Sequence, residues 1–464
     1  MSTPMEIIVP EIEEIVNFYT PELVEEIARE TGFVQRESKL GGVEFLGVMT
    51  QGLYARADAS LNQMAAMIKD INPEAEISAP GLHQRINESG VAFLEKMLSK
   101  ALELSACKLV DESVPELLES FEKVHILDST HITLPEELSS IWKGSGGDAS
   151  ESGMKLQLML DHKSGKYESI VTMDSITPDR SYIDEAVKRI KAGELLIYDL
   201  GYSKQEAMMD ISERGGYFLS RLDHRLGLYK QAEDGSLEKF DLVKELRKAL
   251  ASGIGFCQFE VWLSKGGRQL KIRLIAEKMP DDVANERRRK ARKTAKKKGR
   301  EPTKKHMFLL GWGLYITNVE EEQLEARAVS LLYRLRWQIE LVFKSWKSYH
   351  GLTEVRGQRP ERIECFMYGR LIMMVVMAFL FGSIRRHLWN TRKREASFLK
   401  VIRHFQVKAG KALSLMADSA AFAGFLLTEF LEACRLCMMD LRKRLSTAQK
   451  LRIASTYLDS FTLA

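Results

Sequence analysis

The sequence predicts an α/β protein with helical segments at both ends, and three observations predict it. Most of residues 4–104, and again 331–352 and 412–444, place apolar side chains at three- and four-residue spacing, the period of an amphipathic helix. Between these, five short apolar runs alternate with helical patterns in the order strand, strand, strand, helix, strand, helix, strand. Farther on, 256–263 (FCQFEVWL) and 269–276 (QLKIRLIA) read as a β-hairpin around a Gly-Gly turn. A chain of 464 residues, 45% apolar and 28% charged, is long enough for several structural units with ample core.

The first hundred residues hold eight Lys/Arg against sixteen Asp/Glu, a balance of −8. In 4–72 the pattern is of several short helices, with Glu22, Glu25, Glu26 and Glu30 set among Leu23, Val24, Ile27 and Ala28. Ser78 or Ala79 ahead of Pro80 marks a helix start. Gly90 is expected to divide a short helix over 81–87 from a longer one, leaving His83, Gln84 and Arg85 exposed as the candidate recognition element of a helix-turn-helix. Many small helical domains share this pattern, and the acidic balance confines any DNA contact here to a local surface.

The strand-rich part opens with 124–127 (VHIL), expected to end at Asp128. An aspartate just past a buried strand stands at the sheet's open edge, where a metal can reach it; a turn or helix-cap aspartate is the ordinary alternative. The loop 143–148 (KGSGGD) lacks the G-K-[ST] ending of a phosphate-binding loop. Strands are expected over 154–160 and 167–172, a helix over 181–192, and a fully apolar strand over 195–198 (LLIY) closed by Asp199. A helix over 204–214 and a strand over 217–222 follow.

Residues 285–305 carry twelve Lys/Arg and two Glu, a balance of +10, as a basic helix or a disordered arm suited to phosphates with little sequence preference. Residues 348–464 are +10 as well, so a net charge of only +4 hides two basic regions. That polarity points to a polyanion partner, with solvated helices as the alternative. Residues 307–317 (MFLLGWGLYIT) read as a strand containing Trp312. Residues 331–352 (LLYRLRWQIELVFKSWKSYHGL) read as one helix on which, at about 100° per residue, Tyr333, Arg336, Glu340 and Lys347 share an arc of roughly 60°. One carboxylate among two cations and a phenol is a poor core stripe and a good surface for a phosphodiester and a divalent metal, or else a salt-bridged solvated face. The run 371–381 (LIMMVVMAFLF) is too short for a bilayer, which needs about 20 residues, and is expected to be a buried helix packed on the sheet. No signal peptide is evident, and five cysteines, including the C-x-x-C of Cys434 and Cys437, fit a reducing compartment.

The ungapped Y-x2-R-x3-E-x6-K of Tyr333, Arg336, Glu340 and Lys347, together with the D-x-G-Y that starts at Asp199, resembles the signature of DDE transposases of the insertion sequence 4 family. The resemblance spans about residues 120–375. It implies a ribonuclease H-like catalytic core interrupted by a mainly β insertion, with helical N-terminal and C-terminal regions. The expected division is 1–115 for binding the element's ends, 120–222 for the first part of the core, 223–306 for the insertion with its basic arm, 307–375 for the second part, and 376–464 for possible dimerisation. In that topology the first and fourth strands are neighbours, so Asp128 and Asp199 converge. By resemblance, Asp128, Asp199 and Glu340 hold two Mg2+ ions, for which Mn2+ can substitute, while Tyr333, Arg336 and Lys347 hold phosphates and Trp312 stacks on a base flipped out of the transposon end.

The implied reaction is cut-and-paste transposition: 3′-end cleavage, a hairpin intermediate, and joining to target DNA. The implied partners are double-stranded DNA, as terminal inverted repeats and target, and a second copy of the chain. The implied setting is the bacterial or archaeal cytoplasm, at the nucleoid, with no membrane. A ribonuclease H-like nuclease that cuts without joining, and a non-catalytic DNA-binding descendant of a transposase, are the alternatives.

Overall fold

The structure, a computed structural model, describes residues 4–36, 40–104, 116–146, 150–354 and 357–439. Cys107 and Arg356 lie outside these residues, as does part of the 143–148 loop. Ten strands are present among them. They are β1 (Val124–Thr133), β2 (Gly153–Asp161), β3 (Tyr167–Asp174), β4 (Leu195–Tyr198), β5 (Tyr217–Arg221), β6 (Tyr229–Gln231), β7 (Leu237–Lys239), β8 (Phe256–Lys265), β9 (Arg268–Lys278) and β10 (Trp312–Thr317). The chain forms two compact units whose segments interleave along the sequence. One draws on the described residues within 1–114, 129–177 and 339–443; the other draws on those within 115–128 and 178–338. The expected linear division into five regions does not coincide with these units. β1 passes from one to the other between Asp128 and Ser129.

The strand-rich unit is built on parallel pairing. Val124–Leu127 run alongside Leu195–Tyr198, and β4 in turn runs parallel to β5. All four residues of β4 are buried, as a parallel strand covered on both faces requires. β10 returns antiparallel to β5, and β9, β8, β6 and β7 extend the sheet beyond it in that order. The first and fourth strands are neighbours, as the topology implied by the resemblance expects.

The segment between β5 and β10 differs from the mainly β insertion the resemblance implies. Its helices, Leu242–Ala251, Asp281–Lys297 and Lys304–Leu309, have 10, 17 and 6 residues, against strands of 3, 3, 10 and 11. The basic run is therefore a helix and not an arm. Ala, Arg and Lys are strong helix formers, and Asp281 and Asp282 at its start with Lys296 and Lys297 at its end complement the helix dipole. Residues 307–309, expected in a strand, belong to the helix Lys304–Leu309, and β10 begins only at Trp312.

The helical unit contains the short helices expected near the amino terminus, among them Pro21–Glu30, Gly42–Gly47 and Leu61–Ile71. Ser78 caps Ala79–Arg85 through its side chain, as the Ser-Ala-Pro sequence foretold. The break that follows falls at Ile86–Asn87; Gly90 lies inside the next helix, Glu88–Glu103, because Asn87 caps it. The β2–β3 hairpin belongs to this unit.

The apolar run 371–381 is the middle of a 33-residue helix, Pro360–Arg392, about 50 Å long. The length argument against a membrane span therefore fails, and burial replaces it: 89% of the helix's most apolar window lies inside the protein. Arg370, Arg385 and Arg386, on either side of the run, are built into the same helix. Arg370 donates to the carbonyls of Ala57 and Glu354, and Arg386 pairs with Glu11. The helix packs chiefly against other helices and not flat on a sheet, touching Glu88–Glu103, Pro4–Phe18 and Ser419–Leu436. It reaches the β2–β3 turn through Arg385, which donates to the His162 carbonyl. Gly369 permits its closest approach, since a Cβ there would come within 2.3 Å of the Met49 carbonyl oxygen. Cys434 and Cys437 are ordinary buried thiols.

Candidate active site

The site is built where the parallel pairing of β1 and β4 stops. Leu127 and Tyr198 are the last paired residues, and Asp128 and Asp199 are the next residue on each strand. Adjacent strands lie about 4.8 Å apart, so two carboxylate-bearing positions stand side by side. Asp128 is not past its strand, as expected, because β1 continues to Thr133. It sits at the end of the pairing with β4, which is the feature that matters.

Each aspartate is held by a residue of the predicted signature. The Arg336 Nη1 donates to Asp128 Oδ2 at 2.7 Å, with the two side chains only 15% and 19% exposed. The Tyr333 hydroxyl donates to Asp199 Oδ1 at 3.2 Å, and the Leu200 amide donates to the same oxygen at 2.7 Å. Asp199 Oδ2 has no partner among the described residues. Burial, reinforced by the charge of Asp199, pushes the Tyr333 phenol well above its usual range, so it stays a hydrogen-bond donor. The tyrosine ring packs against Tyr315, with centroids 5.3 Å apart.

The predicted single helix over 331–352 is broken. Ala326–Tyr333 leads into a 3₁₀ turn, Arg334–Arg336, and a second helix, Trp337–Ser348, follows. A 3₁₀ turn advances each residue by about 120°, so an angular wheel at 100° does not carry across it. Tyr333 and Arg336 instead point to different aspartates. Glu340 lies in the first turn of Trp337–Ser348, half-buried, and Lys347 is exposed on the same helix. Seven residues apart, they share a face. Both belong to the helical unit.

Of the other predicted site residues, Trp312 opens β10 and is buried, at 4% exposure. Gln84 is exposed, as expected. Arg85 is not available for recognition: its guanidinium donates to the Phe33 carbonyl at 2.7 Å and lies 4.1 Å from the Phe33 ring centre. His83 is half-buried, its Nε2 3.2 Å from Arg359 Nη1.

Two features went unnoticed in the sequence. Trp337, directly after Arg336, is 60% exposed, unusual for an indole beside a candidate site. An apolar residue on a helix reads as core, whereas Trp337 follows directly on the 3₁₀ turn and faces solvent. Arg221 stands close enough to the Tyr315 and Tyr333 phenols to act on both electrostatically, and Arg334 acts on Tyr315. Arg221 ends a buried strand, and nothing local distinguished it.

The donor set is all oxygen, with one aspartate oxygen open, and it fits a hard divalent cation such as Mg2+ better than a soft one. A sheet whose neighbouring parallel strands present paired carboxylates at one end defines an oxygen-donor site of the kind used for metal-assisted phosphoryl transfer. The family described as "Transposase DDE domain" matches residues 119–376. The chain belongs to this DDE transposase family. It is 30% identical over 405 residues to the transposase for insertion sequence element IS231F of Bacillus thuringiensis subsp. israelensis, covering 85% of this chain and 84% of that protein. It is 28% identical over 391 residues to the transposase for insertion sequence element IS1151 of Clostridium perfringens, covering 81% of each. A solved piggyBac transposase synaptic complex with hairpin DNA aligns over 94% of this chain and 86% of that one, with a TM-score of 0.43 and 9% identity.

Proposed function

We propose that the chain is an insertion sequence transposase of the Y-R-E-K type, with a ribonuclease H-like core that cuts DNA at the ends of its element and joins them to a target. The observation that carries this is the side-by-side placement of Asp128 and Asp199, each held by a signature residue. In this reading Asp128, Asp199 and Glu340 hold divalent cations, Mg2+ or Mn2+. When bound, these supply charge neutralisation at the scissile phosphate and activate the attacking oxygen.

The chain's own residues do the rest. Arg336 orients Asp128 and sets a positive charge beside the carboxylates, where a phosphate would come. Tyr333 keeps Asp199 in one rotamer, leaving Oδ2 directed elsewhere. Lys347, exposed and without a partner among the described residues, takes a phosphate on the Glu340 face of its helix. The hairpin route requires a stacking platform for an unpaired base. Trp312 can serve only if it is uncovered, whereas Trp337 is already exposed. The helices of residues 1–104 bind the element's end, with Gln84 and His83 better placed for it than Arg85, and two copies act on paired ends.

The test is cleavage of a labelled duplex carrying the element's own end, with Mg2+, by the intact chain and by Glu340→Gln. The reading expects cutting by the intact chain, and binding without cutting by the variant. Equal cutting by both removes Glu340 from the site. Binding without cutting by both favours a DNA-binding role. Cutting without joined product favours a nuclease.

A further inference from the structure

We infer that the outward face of the helix Asp281–Lys297 is a docking surface for the phosphate backbone of duplex DNA, read without regard to sequence. The inference deepens the proposed function and rests on it for the identity of the polyanion.

The helix is firmly seated. Ala284 and Ala295 are buried beneath it, Arg287 donates to the Trp312 carbonyl at 3.2 Å, and Arg288 donates to the Met307 carbonyl at 3.1 Å. Two of its cations are thus spent on anchoring. At 100° per residue, Arg292, Lys293, Lys296 and Lys297 lie within an arc of about 140° turned away from that seated face. All four are exposed, and none has a hydrogen bond or ion pair among the described residues. The same holds for Lys298, Arg300, Lys304 and Lys305 just beyond the helix. Glu286 is already engaged by Arg289 and Lys290, so no nearby acid of the helix neutralises the stripe.

Such a concentration of like charge on an ordered helix costs self-repulsion and gains nothing from internal pairing. A solvated helix needs only scattered charges of both signs. A duplex carries one negative charge per about 1.7 Å of axis, so a stripe about 7.5 Å long along the helix meets several phosphates. Three of the four are lysines, point charges on flexible stems that suit phosphate oxygens better than the fixed geometry of base edges. Its chemistry therefore positions DNA and does not specify it.

The experiment compares the full-length chain with the fourfold variant Arg292→Gln, Lys293→Gln, Lys296→Gln and Lys297→Gln, glutamine keeping the helix propensity. Binding is measured against salt without divalent cations, on a duplex of unrelated sequence and on one carrying the element's end. Each lost phosphate contact lowers the slope of log affinity against log salt by about 0.9. The expected result is a slope smaller by roughly 3 to 4 on both duplexes, so that fourfold dilution of salt gains the intact chain roughly 100-fold more affinity than the variant.

An unchanged slope overturns the inference and leaves a solvated face. A loss confined to the element's end also overturns it, since the helix would then read sequence. Unchanged DNA binding with loss of binding to phosphatidylserine vesicles would assign the face to a lipid surface. An intact chain that binds duplex through this face yet never cleaves an element end removes the transposase reading and leaves the inference standing. An intact chain that cleaves while the variant keeps its slope does the reverse.

Discussion

Arg336 donates to Asp128 at 2.7 Å from a 3₁₀ turn that sits between two helices, so a cation occupies one oxygen of the carboxylate proposed as a metal ligand. Removing it has two separable effects. Arg336→Gln should lower end cleavage about 100-fold, the usual cost of losing one preorganised charged donor. The same change should tighten divalent-cation binding, because a competing positive charge is gone. Arg336→Lys should restore only part of the cleavage, since an ammonium cannot reproduce the planar fork. Metal titration followed by thermal stability checks this without any turnover. Weaker metal binding in Arg336→Gln would mean that Arg336 serves to hold Asp128 in place and not to act on phosphate.

The two tryptophans should separate cleanly. Trp312→Ala should destabilise the protein by roughly 3 to 5 kcal/mol, because it empties a buried site. Trp337→Ala, at an exposed position, should change stability by no more than about 0.5 kcal/mol. If Trp337 supplies the stacking platform, its loss should abolish quenching of 2-aminopurine placed at the first nucleotide of the element end. Quenching that survives in Trp337→Ala and disappears in a folded Trp312→Phe would return the role to Trp312.

His350 should give stability a pH dependence on the acid side. It is fully buried against Tyr54, with ring centres 4.6 Å apart, and burial, with the Arg370 charge as the lesser cause, lowers its pKa to about 3. The folded state therefore holds the imidazole neutral, while in the unfolded chain it takes a proton near its ordinary value of 6.5. Between these values the unfolded state binds more protons, so stability falls as pH drops from about 6.5 toward 3. Urea midpoints at pH 7.5 and 5 should show a larger acid loss in the intact chain than in His350→Gln. Parallel losses would place the acid sensitivity elsewhere.

Much of the site was legible because the relevant signals are local. Each aspartate follows an apolar run, and the Tyr, Arg, Glu and Lys spacing is a property of adjacent residues. The order of strands and helices, matched to the topology the resemblance implies, made the first and fourth strands neighbours. The insertion was less legible, because an Arg/Lys-rich run has the same composition whether it is a helix or an arm. Seating on Trp312 and Met307 carbonyls, far away in sequence, accompanies the helical state.

The sequence by itself singled out Asp128, Asp199, Tyr333 and Arg336, since apolar runs and short spacings act within a few residues. Tertiary structure alone decided how they pair. Beside the 3₁₀ turn at Arg334–Arg336, Tyr333 meets Asp199 and Arg336 meets Asp128. Those outcomes depend on hydrogen bonds spanning more than a hundred residues, which no local pattern encodes.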